Sequence, residues 1–182
     1  MTTGCHIIRM DKFKFLVTGG AGFIGSNMTD YLIEMGHEVT VVDNLSTGKL
    51  SNVNPKAKFY AIDLSETSIK WILDNIDYVI HMSAIPNVQQ SIENPILTNK
   101  NNFDATLNLI NSCRNTNVKK IIFSSTSAIY GDTNIFPTNE NVESNPMSPY
   151  ALQKLMSEKY LKLYSELYGI KSVCLLSLIH IS

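Results

Sequence analysis

Short apolar runs alternate along the chain with longer stretches in which apolar positions recur every three or four residues. The runs at 13–17, 38–42, 58–62, 77–82 and 119–124 read as strands, and a sixth begins over 171–175. Helical spacing covers 23–35, 65–73, 96–114 and 149–168. Gly36 and Gly169 stand where helix C-caps are expected, and Pro95 suits a first helical turn. In the fifth run Ile121, Ile122 and Phe123 are apolar in succession, as in a parallel strand covered on both faces. Leu97, Phe103, Leu107 and Ile110 form the apolar stripe of one long helix. Leu152, Leu155, Met156, Leu163, Tyr164 and Leu167 form that of the other, and both stripes are expected to pack in the core. Glu158 and Lys162 are expected to pair on its solvent side. Strand and helix alternate throughout, so the predicted class is α/β, a doubly wound parallel sheet with right-handed crossovers.

Composition narrows the function. The 182 residues suffice for one domain with a real core; 44% are hydrophobic and 17% charged, which excludes disorder. Fifteen basic and 16 acidic side chains leave a net charge of -1, with no basic stripe for nucleic acid. No run approaches a membrane span, and no signal peptide is evident. Cys5, Cys113 and Cys174 form no close-spaced pair, so neither a disulfide framework nor a metal site is expected, and a reducing cytoplasmic setting fits. His81, inside an apolar run, is expected to be a packed core residue.

The chain is organised around Val17-Thr18-Gly19-Gly20-Ala21-Gly22-Phe23-Ile24-Gly25-Ser26. Glycines 19, 22 and 25 between a strand and a helix let the backbone turn sharply and approach a ligand. The helix behind them, starting at Phe23 and Ile24, aims free N–H groups at an anion. Asp43, at the end of the second strand and eighteen residues past Gly25, is placed to accept both hydroxyls of an adenine ribose. It would repel a 2′-phosphate, so NAD is favoured over NADP. Asp63 at the third strand end suits either the adenine amino group or the N-cap of helix 65–73. Met82, Ser83 and Ala84, after the fourth strand, permit close approach of backbone to cofactor.

Tyr150 and Lys154 lie four apart at a helix start and share a face. A free phenol titrates near ~10, but a lysine ammonium one turn away, with an oxidised nicotinamide, favours the phenolate. Tyr150 can then take a proton from a hydroxyl. Ser124, Ser125, Thr126 and Ser127 cluster past the fifth strand, where ligands bind in open α/β sheets; Thr126 can bond a substrate hydroxyl and relay its proton to Tyr150.

With these motifs the sequence resembles the extended short-chain dehydrogenase/reductase family, in its nucleotide-sugar epimerase/dehydratase branch. The resemblance rests on Thr18 to Gly25, the Asp43-Asn44 and Asp63-Leu64 pairs, Ser124-Ser125 and Tyr150-x-x-x-Lys154, over 13–175. It implies a Rossmann fold holding NAD. Asn102, with Ala105-Thr106, resembles an element that holds the nicotinamide side of the cofactor, and His81 to Ala84 one that lines the pyrophosphate. Dehydratases of the branch carry Thr-Asp-Glu where this chain has Thr126-Ser127-Ala128, so elimination lacks its acid here. The loop Pro86 to Ser91 also resembles that of 4-epimerases. The implied activity is 4-epimerisation of a UDP-sugar, with a homodimer pairing helices 96–114 and 149–168. A 4-reductase or dehydratase of the branch, or a non-catalytic NAD-binding member, are the alternatives.

Residues 1–9 read as an upstream extension, with 10–175 the NAD-binding domain. Past Leu175 the branch continues differently and adds a C-terminal substrate domain, which is missing here. The tail 176–182 instead resembles a translated sequencing adaptor and is expected to be non-native, leaving a chain that is inactive alone.

Overall fold

Six parallel strands stand in the order β3-β2-β1-β4-β5-β6 in a computed structural model that describes residues 11–177. They are β1 (Lys14–Thr18), β2 (Glu38–Asp43), β3 (Lys58–Ala61), β4 (Tyr78–His81), β5 (Lys120–Thr126) and β6 (Ser172–Ser177). The order reverses between β1 and β4, which opens a crevice at the carboxyl edge. The doubly wound parallel sheet is as expected. Adjacent apolar residues on each central strand go to opposite faces. Leu16, Val42, Val79 and Ile121 join a core with Leu109, Ile110 and Leu161. Val17, Val41 and Ile80 join a second core with Leu32. That period of two explains the unbroken apolar runs.

The helices depart from expectation in three places. Residues 65–73 give only α2 (Lys70–Leu73), after α1 (Phe23–Glu34), because Asp63 gathers the amide and hydroxyl of Ser65 into a turn. The long helix expected over 96–114 is divided. It follows a separate α3 (Val88–Glu93) and comprises α4 (Pro95–Asn99), a π-helical turn (Lys100–Asp104) and α5 (Ala105–Ser112). The wide turn shifts the register, so Leu97 faces solvent while Phe103, Leu109 and Ile110 are buried.

The third departure is α6 (Pro149–Tyr168), whose bounds match. Its apolar residues Leu152, Leu163 and Leu167 are exposed, whereas Tyr150, Gln153, Lys154 and Ser157 are buried. Nor does Glu158 pair with Lys162 in solvent: its half-buried carboxylate accepts the hydroxyl of Ser125. β6 runs on through Leu176 and Ser177, the first residues of the expected tail. The rest of that tail, residues 178–182, and the extension at 1–9 lie outside the described residues.

Candidate functional site

β1 ends in a tight turn that needs its glycines. Gly19 takes φ +69, and a Cβ there would stand 2.8 Å from the amide nitrogen of Ser83. A Cβ on Gly25 would lie 2.2 Å from the Gly19 carbonyl oxygen. α1 therefore starts hard against the loop. Gly22 caps α1 without a side-chain bond, and no described group engages the amides of Phe23, Ile24 or Gly25. Three free donors at a helix N-terminus suit a diphosphate.

Asp43 is buried at the end of β2 and organises this edge. One carboxylate oxygen accepts the Ala21 amide at 3.0 Å; the other accepts that of Leu45 at 2.8 Å. Leu45 is held at φ 57, a left-handed backbone costly for a leucine. Each carboxylate oxygen keeps a lone pair for a ribose hydroxyl. Asn44 donates to Asp63 at 3.2 Å and accepts the Ser46 amide. Burial pushes the Asp63 carboxyl up, but its bonds to Ser65 and Asn44 prevail and hold it below its ordinary value. Asp63 thus closes a turn, not a helix, and still borders the crevice.

A cavity of about 910 Å³ runs along the carboxyl edge. It joins Gly19, Gly22, Phe23, Ile24 and Gly25 to Asp43, Asn44, Asp63 and Leu64 at one end. At the other end it reaches Met82, Ser83, Ala84, Ser124, Thr126, Tyr150 and Lys154. Asn102 alone among the expected site residues is not in the wall. It is 2% exposed; its carboxamide accepts the Ile85 amide at 2.7 Å and donates to the Ile85 carbonyl and to Gln153. Its neighbours Asn101 and Ala105 line the cavity instead, so Asn102 braces the wall from behind.

His81 is buried, as expected, and belongs to a defined chain of bonds. Thr106 spends its hydroxyl proton on the Asn102 carbonyl, so His81 donates Nε2–H to Thr106 at 2.8 Å. Nδ1 then accepts from Thr18 at 2.6 Å, and Thr18 in turn receives the Met82 amide. Burial, with repulsion from Lys154, lowers its pKa to about 3, so the ring is neutral.

The far end of the cavity is carried by β5 and α6. Ser148 caps α6 by accepting the Ala151 amide, and Ser91 on α3 accepts the Tyr150 amide at 3.1 Å. Thr126 accepts the Ala128 amide, which leaves its O–H free to donate. Burial raises the Tyr150 phenol above its ordinary pKa, and Thr126 offsets part of that. The expected depression by Lys154 is not found. That ammonium is turned to the Ser124 carbonyl at 2.8 Å, over the Phe123 ring, and burial brings it down to about 8 against the pull of Glu158. Sequence reasoning named Ser125 only within a cluster of hydroxyls, placed Glu158 in solvent and passed over Gln153. Residues 150, 154 and 158 share one helical face, and extending that face one turn would have reached Glu158.

The model for a family described as NAD dependent epimerase/dehydratase matches residues 15–180. The chain belongs to this family. It is 41% identical over 163 residues to a UDP-glucose 4-epimerase of Streptococcus mutans, covering 87% of this chain and 49% of that protein. A UDP-N-acetylglucosamine 4-epimerase from Methanobrevibacter ruminantium, solved with UDP-N-acetylmuramic acid, superposes with a TM-score of 0.87 at 43% identity. That match covers 92% of this chain and 55% of the other. A Thermus thermophilus UDP-glucose 4-epimerase in complex with NAD gives 0.85 at 39% identity, covering 90% and 54%. The chain spans about half the length of the curated relatives it matches. Among the described residues no helix is long and apolar enough to cross a membrane.

Proposed function

We propose that this chain is the NAD-binding half of a nucleotide-sugar 4-epimerase acting on a UDP-hexose or its N-acetyl counterpart. One observation carries the reading. Thr126, Tyr150 and Lys154 line the same cavity as the glycine turn and Asp43, and the nearby position where an eliminating enzyme needs an acid is Ala128. The residues fit a dinucleotide: three unengaged amides for the diphosphate, a carboxylate with free lone pairs for the adenosine ribose, and a loop that side chains would fill.

NAD bound there supplies a reversible hydride acceptor for C4 of the sugar. Tyr150 takes the proton of the 4-hydroxyl and later returns it, so the chain's net proton balance is zero. Thr126 donates its free O–H toward the phenol oxygen and steadies the ionised form. Lys154 adds positive charge to the reactive end, while the lowering that reaches the buried phenol comes from Thr126. Small Ala128 leaves room for a sugar and offers no group that could eliminate water.

The exposed apolar faces support a homodimer through α4 and α6. Ile96 is 86% exposed and Leu152 47%, with Leu97 and Leu163 also open. Exposed apolar side chains on two packed helices suit an interaction site, and a second copy is the occupant proposed. The free, half-buried or buried Cys113 and Cys174 support a reducing cytoplasm.

The full-length protein should interconvert UDP-glucose and UDP-galactose, or the N-acetyl pair, with no net NADH formation. Tyr150→Phe should lower turnover about 10²- to 10⁴-fold with NAD still bound. Undiminished turnover in that variant would end the assignment.

A further inference from the structure

The polar face of α6 holds a carboxylate that the proposed reaction does not use. Glu158 lies one turn beyond Lys154. Both touch the end of β5, through neighbouring residues: Lys154 donates to the Ser124 carbonyl at 2.8 Å, and Ser125 donates its hydroxyl to Glu158. Strand alternation causes this. Ile121, Phe123 and Ser125 point to the α6 face, and Ser125 occupies the place where an apolar residue would continue the core. A buried serine facing a half-buried glutamate on a packed helix is a specific arrangement, because each would otherwise be an unpaired polar group.

The geometry points to Glu158 as a positioning residue that supplies the counter-charge of Lys154 and is aimed by Ser125. The proposal rests on the reading of Tyr150 and Lys154 given above. Among the described residues the ion pairs are Lys12–Glu38, Lys100–Glu66 and Lys119–Asp77, so Glu158 closes no direct salt bridge. It acts through space, with the Ser124-Ser125 peptide between the two charges.

The groups packed around this pair all bear on the charge balance. β4 brings neutral His81, which the ammonium repels from protonation. β5 brings Phe123, whose ring faces the ammonium. The turn after β5 brings Tyr130, raised by burial and then by Glu158 and Glu140. β6 brings Cys174, raised by burial and by Glu158. α6 itself brings Tyr150. Among the described residues no other carboxylate offsets the cost of burying Lys154. Without Glu158 the lysine would lose its proton nearer neutrality and the reactive end would lose its fixed positive charge.

The test uses the full-length protein with NAD bound and compares Glu158→Gln, Glu158→Asp and Ser125→Ala. Gln keeps an acceptor for Ser125 and removes only the charge. Nitrogen NMR of the lysine ammonium reports the Lys154 midpoint independently of turnover. The expected result is a fall of about one to two pH units in Gln, with Asp restoring most of it and Ser125→Ala giving an intermediate fall. The rate profile should lose its alkaline side in parallel, with kcat at pH 8 down about tenfold and substrate KM within about twofold. An unmoved midpoint in Gln overturns the proposal. Should Gln not fold, an unmoved midpoint in Ser125→Ala does the same. Failure of the epimerase reading shows separately, as turnover that survives Tyr150→Phe while the midpoint still responds to residue 158.

Discussion

Gly25→Ala puts the dinucleotide reading at risk in the most direct way. The added Cβ would stand 2.2 Å from the Gly19 carbonyl oxygen and 2.8 Å from both the Gly19 carbonyl carbon and the Gly20 Cα. The oxygen must retreat by about 1 Å to reach ordinary contact. It has little room, since Gly19 accepts the Gly22 amide at 3.1 Å, donates to Val42 at 2.9 Å and backs onto Ser83. Overpacking of this kind costs about 1–3 kcal/mol, which lowers Tm by roughly 2–12 °C in a chain of this size. Moving the turn also displaces the free amides of Phe23 and Ile24. Losing one charge-assisted bond to a phosphate costs about 1.5–3 kcal/mol, or roughly 10- to 100-fold in NAD affinity. Isothermal titration and a thermal melt measure both quantities. Gly36→Ala is the control, for Gly36 has φ +89 and no heavy atom within 4 Å of a new Cβ. It should lose about 1 kcal/mol of stability and keep its NAD affinity. If Gly25→Ala binds NAD as tightly as the parent, or both variants weaken it equally, the cradle has been misassigned.

Asp43→Ser removes the acceptors of Ala21 and Leu45 and the charge facing a ribose; NAD affinity should drop about tenfold or more, and the preference over NADP, read by competition titration, should shrink. His81 titrates near 3 in the folded chain and near ~6.5 unfolded. The unfolded chain therefore takes up the proton first. Stability is fully present above pH ~6.5 and declines by about 1.4 kcal/mol per unit as pH falls from there toward 3. Urea melts at pH 7 and pH 5 should show this slope, and His81→Gln should flatten it. Ile96→Glu should change monomer stability by no more than about 0.5 kcal/mol, yet abolish the proposed dimer of the full-length protein in sedimentation.

The sheet and its cofactor edge were legible because each depends on local pattern. Apolar runs of strand length, glycines at 19, 22 and 25, and Asp43 at a strand end specify their own backbone and place. The division of the helix at 95–112 was not legible. Its π-turn carries Asn102, which bonds Ile85 and Gln153 at once, and those partners are distant in sequence. The faces of α6 were misread for the complementary reason. Periodicity finds the apolar side of a helix, and here the buried side carries Tyr150, Gln153, Lys154 and Ser157 because it forms one wall of a site. Asn102 was given a cofactor contact by resemblance, and its three bonds to Ile85 and Gln153, which no local pattern announces, set it behind the cavity wall.

Helix α6 thus meets α3, α4 and the end of β5 through discrete donors and acceptors: Tyr150 on Ser91, Gln153 on Thr98, Lys154 on Ser124, Glu158 on Ser125. An oily contact tolerates sliding, because one methyl group serves nearly as well as the next. A row of matched polar bearings does not, since a shift of a single residue would strand every one of them at once. The helix is keyed to one axial position, and the phenol it carries inherits that setting.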